Sequence, residues 1–187
     1  MNKETEASTD TWDALTRFLH WVSAIWVLGL IGLGLVMVNL VNASGQKFEL
    51  YQLHKSYSFL FGFVLIARLF WKLFTQRPKT LGTGFMGKIA TVNQYLMLST
   101  LVLMVVSGYA SASFSIIPIP INVFGWNVPS LLTPDMMMEQ RATAVHHYIA
   151  FGLATLIVVH SCAALFHHFI LKDKTLTRML TKHGAET

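Results

Sequence analysis

Four long apolar stretches constrain the fold of this chain more than any other feature. They contain no Asp, Glu, Lys or Arg and cover residues 18–46, 56–67 (extended past Arg68 to Trp71), 89–134 and 142–171. Each contains or nearly reaches the roughly 20 residues that cross a bilayer core. With 53% of its 187 residues hydrophobic and 12% charged, the chain does not have the composition of a water-soluble domain. We predict an all-α membrane protein, a four-transmembrane-helix bundle surrounded by membrane lipid.

The pattern predicts a single membrane domain over residues 1–187. Its helices are expected near 17–40, 53–74, 89–112 and 141–170, with an outer loop at 113–140 and a cytoplasmic tail at 171–187. Turn-forming residues cluster in the outer loop, namely Pro118, Pro120, Gly125, Pro129 and Pro134. Because these residues interrupt regular structure, we predict that the loop is irregular or partly re-entrant despite its apolar composition.

The basic residues lie at the ends of the spans and predict the topology. Placing the N-terminus in the cytoplasm leaves three of them outside, Lys47, Lys55 and Arg141, and puts eleven inside: Lys3, Arg17, Arg68, Lys72, Arg77, Lys79, Lys88, Lys172, Lys174, Arg178 and Lys182. The positive-inside rule therefore predicts that both termini are cytoplasmic. Because the charges mark span ends and form no water-exposed basic module, the net charge of +5 does not indicate nucleic-acid binding.

Histidines are the unusual polar residues of the predicted spans. All eight except His183 lie within or at the edge of a span, where an ionisable group is costly and usually functional. His146 and His160 are 14 residues apart, which is close to four helical turns, so they share a face and are separated by roughly 21 Å. The topology places His20 at the inner level of His160 and His54 at the outer level of His146.

Two imidazoles that face each other across a bundle core can ligate a haem iron from both axial sides. Two such levels predict two b-type haems. Zinc is the competing metal, but each level offers only two imidazoles and no nearby carboxylate, which is half of a tetrahedral site. A single cysteine, Cys162, also excludes sites built from several thiolates. Because both axial positions are filled, we expect electron transfer across the bilayer and no oxygen binding.

Several motifs together resemble the bacterial cytochrome b561 family of four-helix, two-haem membrane proteins, over nearly the whole chain. They are His20-Trp21, Leu53-His54-Lys55-Ser56 with Arg68 fourteen residues on, the His146 and His160 pair, and the stretch from Val159 through His167-His168-Phe169 to Arg178-Met179. The resemblance implies haem ligation by His20, His54, His146 and His160 and location in the bacterial inner membrane. It also implies electron exchange with ubiquinone, and oxidation of superoxide coupled to ubiquinone reduction.

Five further residues are candidates for contact with a cofactor. Arg68 lies 14 residues after His54 and Arg17 one turn before His20, so each can pair with a propionate of the inner haem or serve only as a topology anchor. Lys55 and Arg141 are the corresponding candidates at the outer level. His167 lies two turns past His160, where it can donate to a quinone carbonyl or simply occupy the polar interface.

Two other functions compete with this interpretation. In the first, the chain is a haem-bearing membrane subunit that exchanges electrons with a periplasmic redox protein docked on residues 113–132. In the second, it is an ion or metal transporter that uses the intramembrane histidines. The spans contain no Asp or Glu, which disfavours transport coupled through carboxylates.

Overall fold

The computed structural model describes residues 11–39, 45–75, 78, 85–117 and 119–180. Four long helices dominate these residues, in the order α1 (Ala14–Asn39), α2 (Gly45–Phe74), α3 (Phe85–Phe114) and α4 (Met136–Phe169). All four contain windows long and apolar enough to cross a membrane. The prediction of a four-helix membrane protein is confirmed.

The helices extend beyond the bilayer spans that hydropathy marks. α2 begins at Gly45 and not near 53, because the polar residues before Leu53 solvate the end of a helix without breaking it. α3 is likewise longer than 89–112 at both ends. α4 begins at Met136 and not near 141, because Asp135 caps it by accepting a hydrogen bond from Met138 N.

The outer loop is more regular than the sequence predicts. It contains a two-stranded antiparallel hairpin, β1 (Ile121–Val123) and β2 (Trp126–Val128). The predicted irregular conformation is therefore wrong for these residues. The turn is formed by Phe124 and Gly125, which both have positive φ angles of 50° and 87°, and two-residue turns of this kind suit the twist of a hairpin.

One end of the bundle gathers the start of α1, the end of α2 and a short C-terminal helix, α5 (Thr177–Leu180); we call it the inner end. Asp13 caps α1 by accepting from Thr16 N at 2.9 Å and also accepts from Trp71 Nε1 of α2 at 3.0 Å. Burial raises the pKa of the Asp13 carboxyl, but the hydrogen bonds from Thr16 and Trp71 outweigh burial and hold that pKa below its ordinary value. Trp21 Nε1 donates to Met179 O at 2.9 Å, which fixes α5 against α1.

Several predicted features lie outside the described residues. They are residue 40 at the predicted end of the first helix, the turn residue Pro118, the basic residues Lys3, Arg77, Lys79 and Lys182, and residues 181–187 of the tail, including His183.

The buried core is a thin layer in the middle of the bundle. α1 packs against α2 and α3 packs against α4, with α2 also in contact with α3. The core cluster consists of Val27, Phe61, Leu65, Leu101 and Leu153. Three of these core residues lie seven positions after a histidine on the same helix. The histidines are His20 for Val27, His54 for Phe61 and His146 for Leu153. The layer therefore separates two histidine levels.

Candidate functional site

The structure brings the four histidines together in the pairs that their predicted depths indicate. The ring centres of His20 on α1 and His160 on α4 are 6.3 Å apart, with an interplanar angle of 56°. Those of His54 on α2 and His146 on α4 are 6.4 Å apart, at 88°. α4 therefore contributes one imidazole to each level, on opposite sides of the core layer.

The spacing within each pair suits a metal ion held between two imidazoles. A metal bound about 2 Å from each nitrogen places the ring centres about 6.4 Å apart, because each centre lies about 1.2 Å behind its nitrogen. α4 also approaches α1 and α2 less closely than it approaches α3. Within the described part of the chain no group of three or more His, Cys, Asp or Glu could hold a metal ion. Each level therefore fits the two axial ligands of a haem better than a zinc site.

Helix α3 supplies a polar partner for the α4 histidine at each level. Ser107 Oγ donates to Met104 O at 3.2 Å, so its oxygen can accept the Nδ1 proton of His146, 3.1 Å away. Asn93 Nδ2 lies 3.4 Å from His160 Nδ1, and rotating the Asn93 amide by 180° exchanges this nitrogen for the amide oxygen, which can accept the Nδ1 proton in the same way. A proton fixed on Nδ1 leaves the lone pair of Nε2 for a metal.

Asn93 and Ser107 are site residues that the sequence analysis missed. They are 14 residues apart, the same spacing as His146 and His160. Because α3 and α4 run antiparallel, equal spacings on the two helices place partners at both levels. The repeated spacing is the signal in the sequence that identifies them.

Two glycines make room for the outer pair of rings. A Cβ added at Gly108 would lie 3.0 Å from His146 Cε1, and one at Gly34 would lie 3.8 Å from His54 Cε1. By contrast, a Cβ at Gly152 meets no atom within 4 Å. His54 Nδ1 is buried and has no hydrogen-bond partner among the described residues. Gly108 therefore fixes how closely α3 approaches the ring of His146.

The two arginine candidates lie at the inner level. Arg68 Nη2 is 3.3 Å from His20 Nδ1. A guanidinium only donates hydrogen bonds, so a protonated Nδ1 would face another donor and leave Arg68 in need of an anion. The Nε atom of Arg17 is buried without a hydrogen-bond partner in the described chain. Both observations are consistent with guanidinium groups that pair with an anionic group such as a haem propionate.

The two candidates for cofactor contact at the outer level, Lys55 and Arg141, have different surroundings from the two arginines at the inner level. Lys55 Nζ donates to Ile119 O at 3.2 Å, which ties the helix position after His54 to the outer loop. Arg141 is exposed near the start of α4. His147 is also exposed, because it follows His146 and is turned about 100° away from it on the helix.

His167 is held at the inner end by a carboxylate. Its Nδ1 lies 2.5 Å from Asp173 Oδ2, and Asp173 Oδ1 accepts from Thr175 N at 2.8 Å. Burial raises the pKa of the Asp173 carboxyl, but the hydrogen bonds from Thr175 and His167 outweigh burial and hold that pKa below its ordinary value. The carboxylate fixes the orientation of the His167 ring.

Arg178 is a further residue whose placement the sequence did not reveal. The sequence predicts it as a cytoplasmic charge and not as a buried residue, yet on α5 it is 9% exposed. Hydropathy could not anticipate this burial, because it depends on the contact between Trp21 and Met179 that folds α5 back under the bundle.

Comparisons with known proteins agree with this architecture. A family model described as prokaryotic cytochrome b561 matches residues 11–182. The chain is 34% identical to cytochrome b561 homolog 2 of Escherichia coli strain K12 over 180 residues, which cover 95% of each chain. It is 38% identical to cytochrome b561 homolog 1 of the same organism over 61 residues, or 33% of this chain and 35% of that protein.

Proposed function

Because the chain belongs to the prokaryotic cytochrome b561 family of membrane electron-transfer proteins, we propose that its two histidine pairs hold two b-type haems. His20 and His160 ligate the inner haem, and His54 and His146 the outer one. The observation that carries this proposal is the pair of ring separations, 6.3 and 6.4 Å, at two separate depths. A haem bound by each pair would supply reversible one-electron chemistry.

The residues around each pair tune and hold the cofactor. Ser107 and Asn93 orient the α4 imidazoles, and outer partners of this kind set the basicity of a ligand. Arg68 and Arg17 neutralise propionates at the inner level. Lys55 and Arg141 do so at the outer level, where Lys55 is also held by the loop.

We further propose that the chain lies in the bacterial inner membrane with both termini cytoplasmic, and that it moves electrons from the outer face to ubiquinone. Superoxide is the donor implied by the family resemblance. Two superoxide anions each lose one electron to become oxygen, and one ubiquinone gains both electrons and two protons to become ubiquinol. His167, oriented by Asp173 at 2.5 Å, is suitably placed to donate to a quinone at the inner end.

The test of this function is stopped-flow reduction of the purified protein by superoxide at several salt concentrations. Long-range attraction of an anion to basic residues is weakened by salt. The basic residues concerned are Lys47, Lys55 and Arg141, which are partly offset by Glu49, Asp135 and Glu139. We expect the rate to fall with rising salt, and neutralising the three basic residues to slow reduction and flatten the salt dependence.

A matched control neutralises Lys172 and Lys174 at the inner end, which should leave the superoxide rate unchanged. A slow rate that responds to neither salt nor substitution would reject superoxide as the donor. The donor would then be a periplasmic redox protein, the second function that the sequence allows.

A redox titration tests the role of Arg68. Replacing Arg68 with Leu removes a positive charge 3.3 Å from the ring of a proposed ligand, and a positive charge favours the reduced form of a nearby iron. We expect the inner haem's midpoint potential to fall and the outer one's to change much less. An unchanged inner potential would leave Arg68 as a topology anchor only. The control is Lys72→Leu, one turn further toward the inner end of α2.

A further inference from the structure

The outer hairpin has one apolar face and one polar face. Ile121 pairs with Val128 and both are 7% exposed, while Val123 pairs with Trp126 on the same face. The intervening pair, Asn122 and Asn127, points to the opposite face and is joined by a side-chain hydrogen bond of 2.8 Å. The protein therefore covers Ile121 and Val128, while the asparagine face is exposed.

Contacts with α2 set the depth of the hairpin. Ser56 Oγ donates to Asn122 O, and Ser56 is the first residue of the uncharged stretch of α2. Trp126 packs against Phe59, with ring centres 6.1 Å apart, and Phe59 packs against Phe63 at 5.4 Å. Phe63 is exposed on the membrane-spanning part of α2. Trp126 therefore extends a row of aromatic side chains that faces lipid.

The tip of the hairpin carries an apolar side chain at an unfavourable position. Phe124 is 92% exposed and adopts a φ of 50°, in the left-handed region that a bulky side chain rarely occupies. Asn-Gly is the usual sequence for a two-residue turn with two positive φ angles. Phe124 thus serves neither the packing of the bundle nor the geometry of the turn.

We propose that the hairpin is an interfacial anchor that inserts Phe124 and Trp126 among the lipids of the outer leaflet. Aromatic side chains are favoured at the boundary between headgroups and acyl chains. Lipid is the occupant because the exposed side chain of Trp126 continues the lipid-facing row of Phe59 and Phe63 on α2, while the side chains of Asn122 and Asn127 are left to water. The proposal does not depend on haem binding or on the identity of the electron donor.

Site-directed spin labelling tests the insertion directly. The single cysteine, Cys162, is exposed, so the background is Cys162→Ser, with a nitroxide attached at Phe124→Cys or, as the matched control, at Asn127→Cys. The full-length protein is reconstituted in vesicles of phosphatidylethanolamine and phosphatidylglycerol. Accessibility to oxygen, which concentrates in lipid, is compared with accessibility to a water-soluble nickel chelate.

We expect the label at position 124 to be several-fold more accessible to oxygen relative to the nickel chelate than the label at 127. Equal, water-like accessibility at both positions would overturn the proposal. Phe124 and Trp126 would then be available for contact with a protein partner.

A second variant separates insertion from folding. Phe124→Asn should relieve the backbone strain, so its melting temperature in detergent should equal or exceed that of the unchanged protein. On transfer from detergent to vesicles, the melting temperature of Phe124→Asn should rise less than that of the unchanged protein. An equal rise in melting temperature on transfer from detergent to vesicles, in Phe124→Asn and in the unchanged protein, would contradict an anchoring role for Phe124.

Discussion

Replacing His146 with alanine removes one of the two proposed haems and leaves the other in place. The ring of His146 is positioned by Ser107 at 3.1 Å and by the close approach of Gly108. The next residue on α4, His147, points away from the site. No other described imidazole can therefore take over the position opposite His54. We expect the haem-to-polypeptide ratio of the purified variant to fall by half, with the loss of one component in a redox titration.

The matched control for this result is His147→Ala, which removes an exposed imidazole one position along α4. This variant should retain the full complement of haem and both redox components. If His146→Ala retained both haems and His147→Ala lost one, the outer ligand would be His147, and the assignment from spacing would be wrong.

Removing the inner haem abolishes ubiquinone reduction while the outer haem remains reducible. His160→Ala breaks the inner pair, and the core layer around Phe61 and Leu153 separates the outer pair from the inner end, where we place the quinone. Electrons delivered to the outer haem then have no route to the acceptor. We expect single-turnover reduction of the outer haem to be preserved and steady-state ubiquinol formation to be lost.

His168→Ala is the control for the second prediction, because it changes an imidazole at the inner end that belongs to neither pair. It should leave ubiquinol formation close to that of the unchanged protein. Continued quinone reduction by His160→Ala would show that the quinone receives electrons without the inner haem, which would contradict the proposed route from the outer haem through the inner one.

The sequence predicts the helices and the histidine pairs because both follow from short-range periodicity. Hydropathy identifies a span from its own residues, and a spacing of 14 places His146 and His160 on one face whatever the neighbouring helices do. The pairing with His20 and His54 then needs only the alternating direction of the helices. The structure brings those residues together with ring separations of 6.3 and 6.4 Å.

Features that depend on contacts between distant segments could not be predicted in the same way. The hairpin depends on Asn122 meeting Ser56 and on Trp126 meeting Phe59, and apolarity alone does not distinguish it from a re-entrant segment. The early start of α2 escapes a hydropathy argument because a helix can continue into water. The burial of Arg178 requires α5 to fold back onto Trp21.

The roles of Asn93 and Ser107 lie between these two cases. Their spacing of 14 is visible in the sequence, but polar residues in a span are often satisfied by their own helix, as Ser23 is by Leu19 O at 2.6 Å. Only the antiparallel packing of α3 on α4 distinguishes residues that meet a histidine from residues that do not.

The most direct test of two haems held by two histidine pairs is the number of haems bound per polypeptide in the purified, unmodified protein. It requires only a quantitative haem assay beside a protein determination that is independent of absorbance by the cofactor. The proposal predicts a ratio of two. A protein saturated at one haem would contradict the pairing at one of the two levels, and a protein that binds none would contradict the function proposed for both.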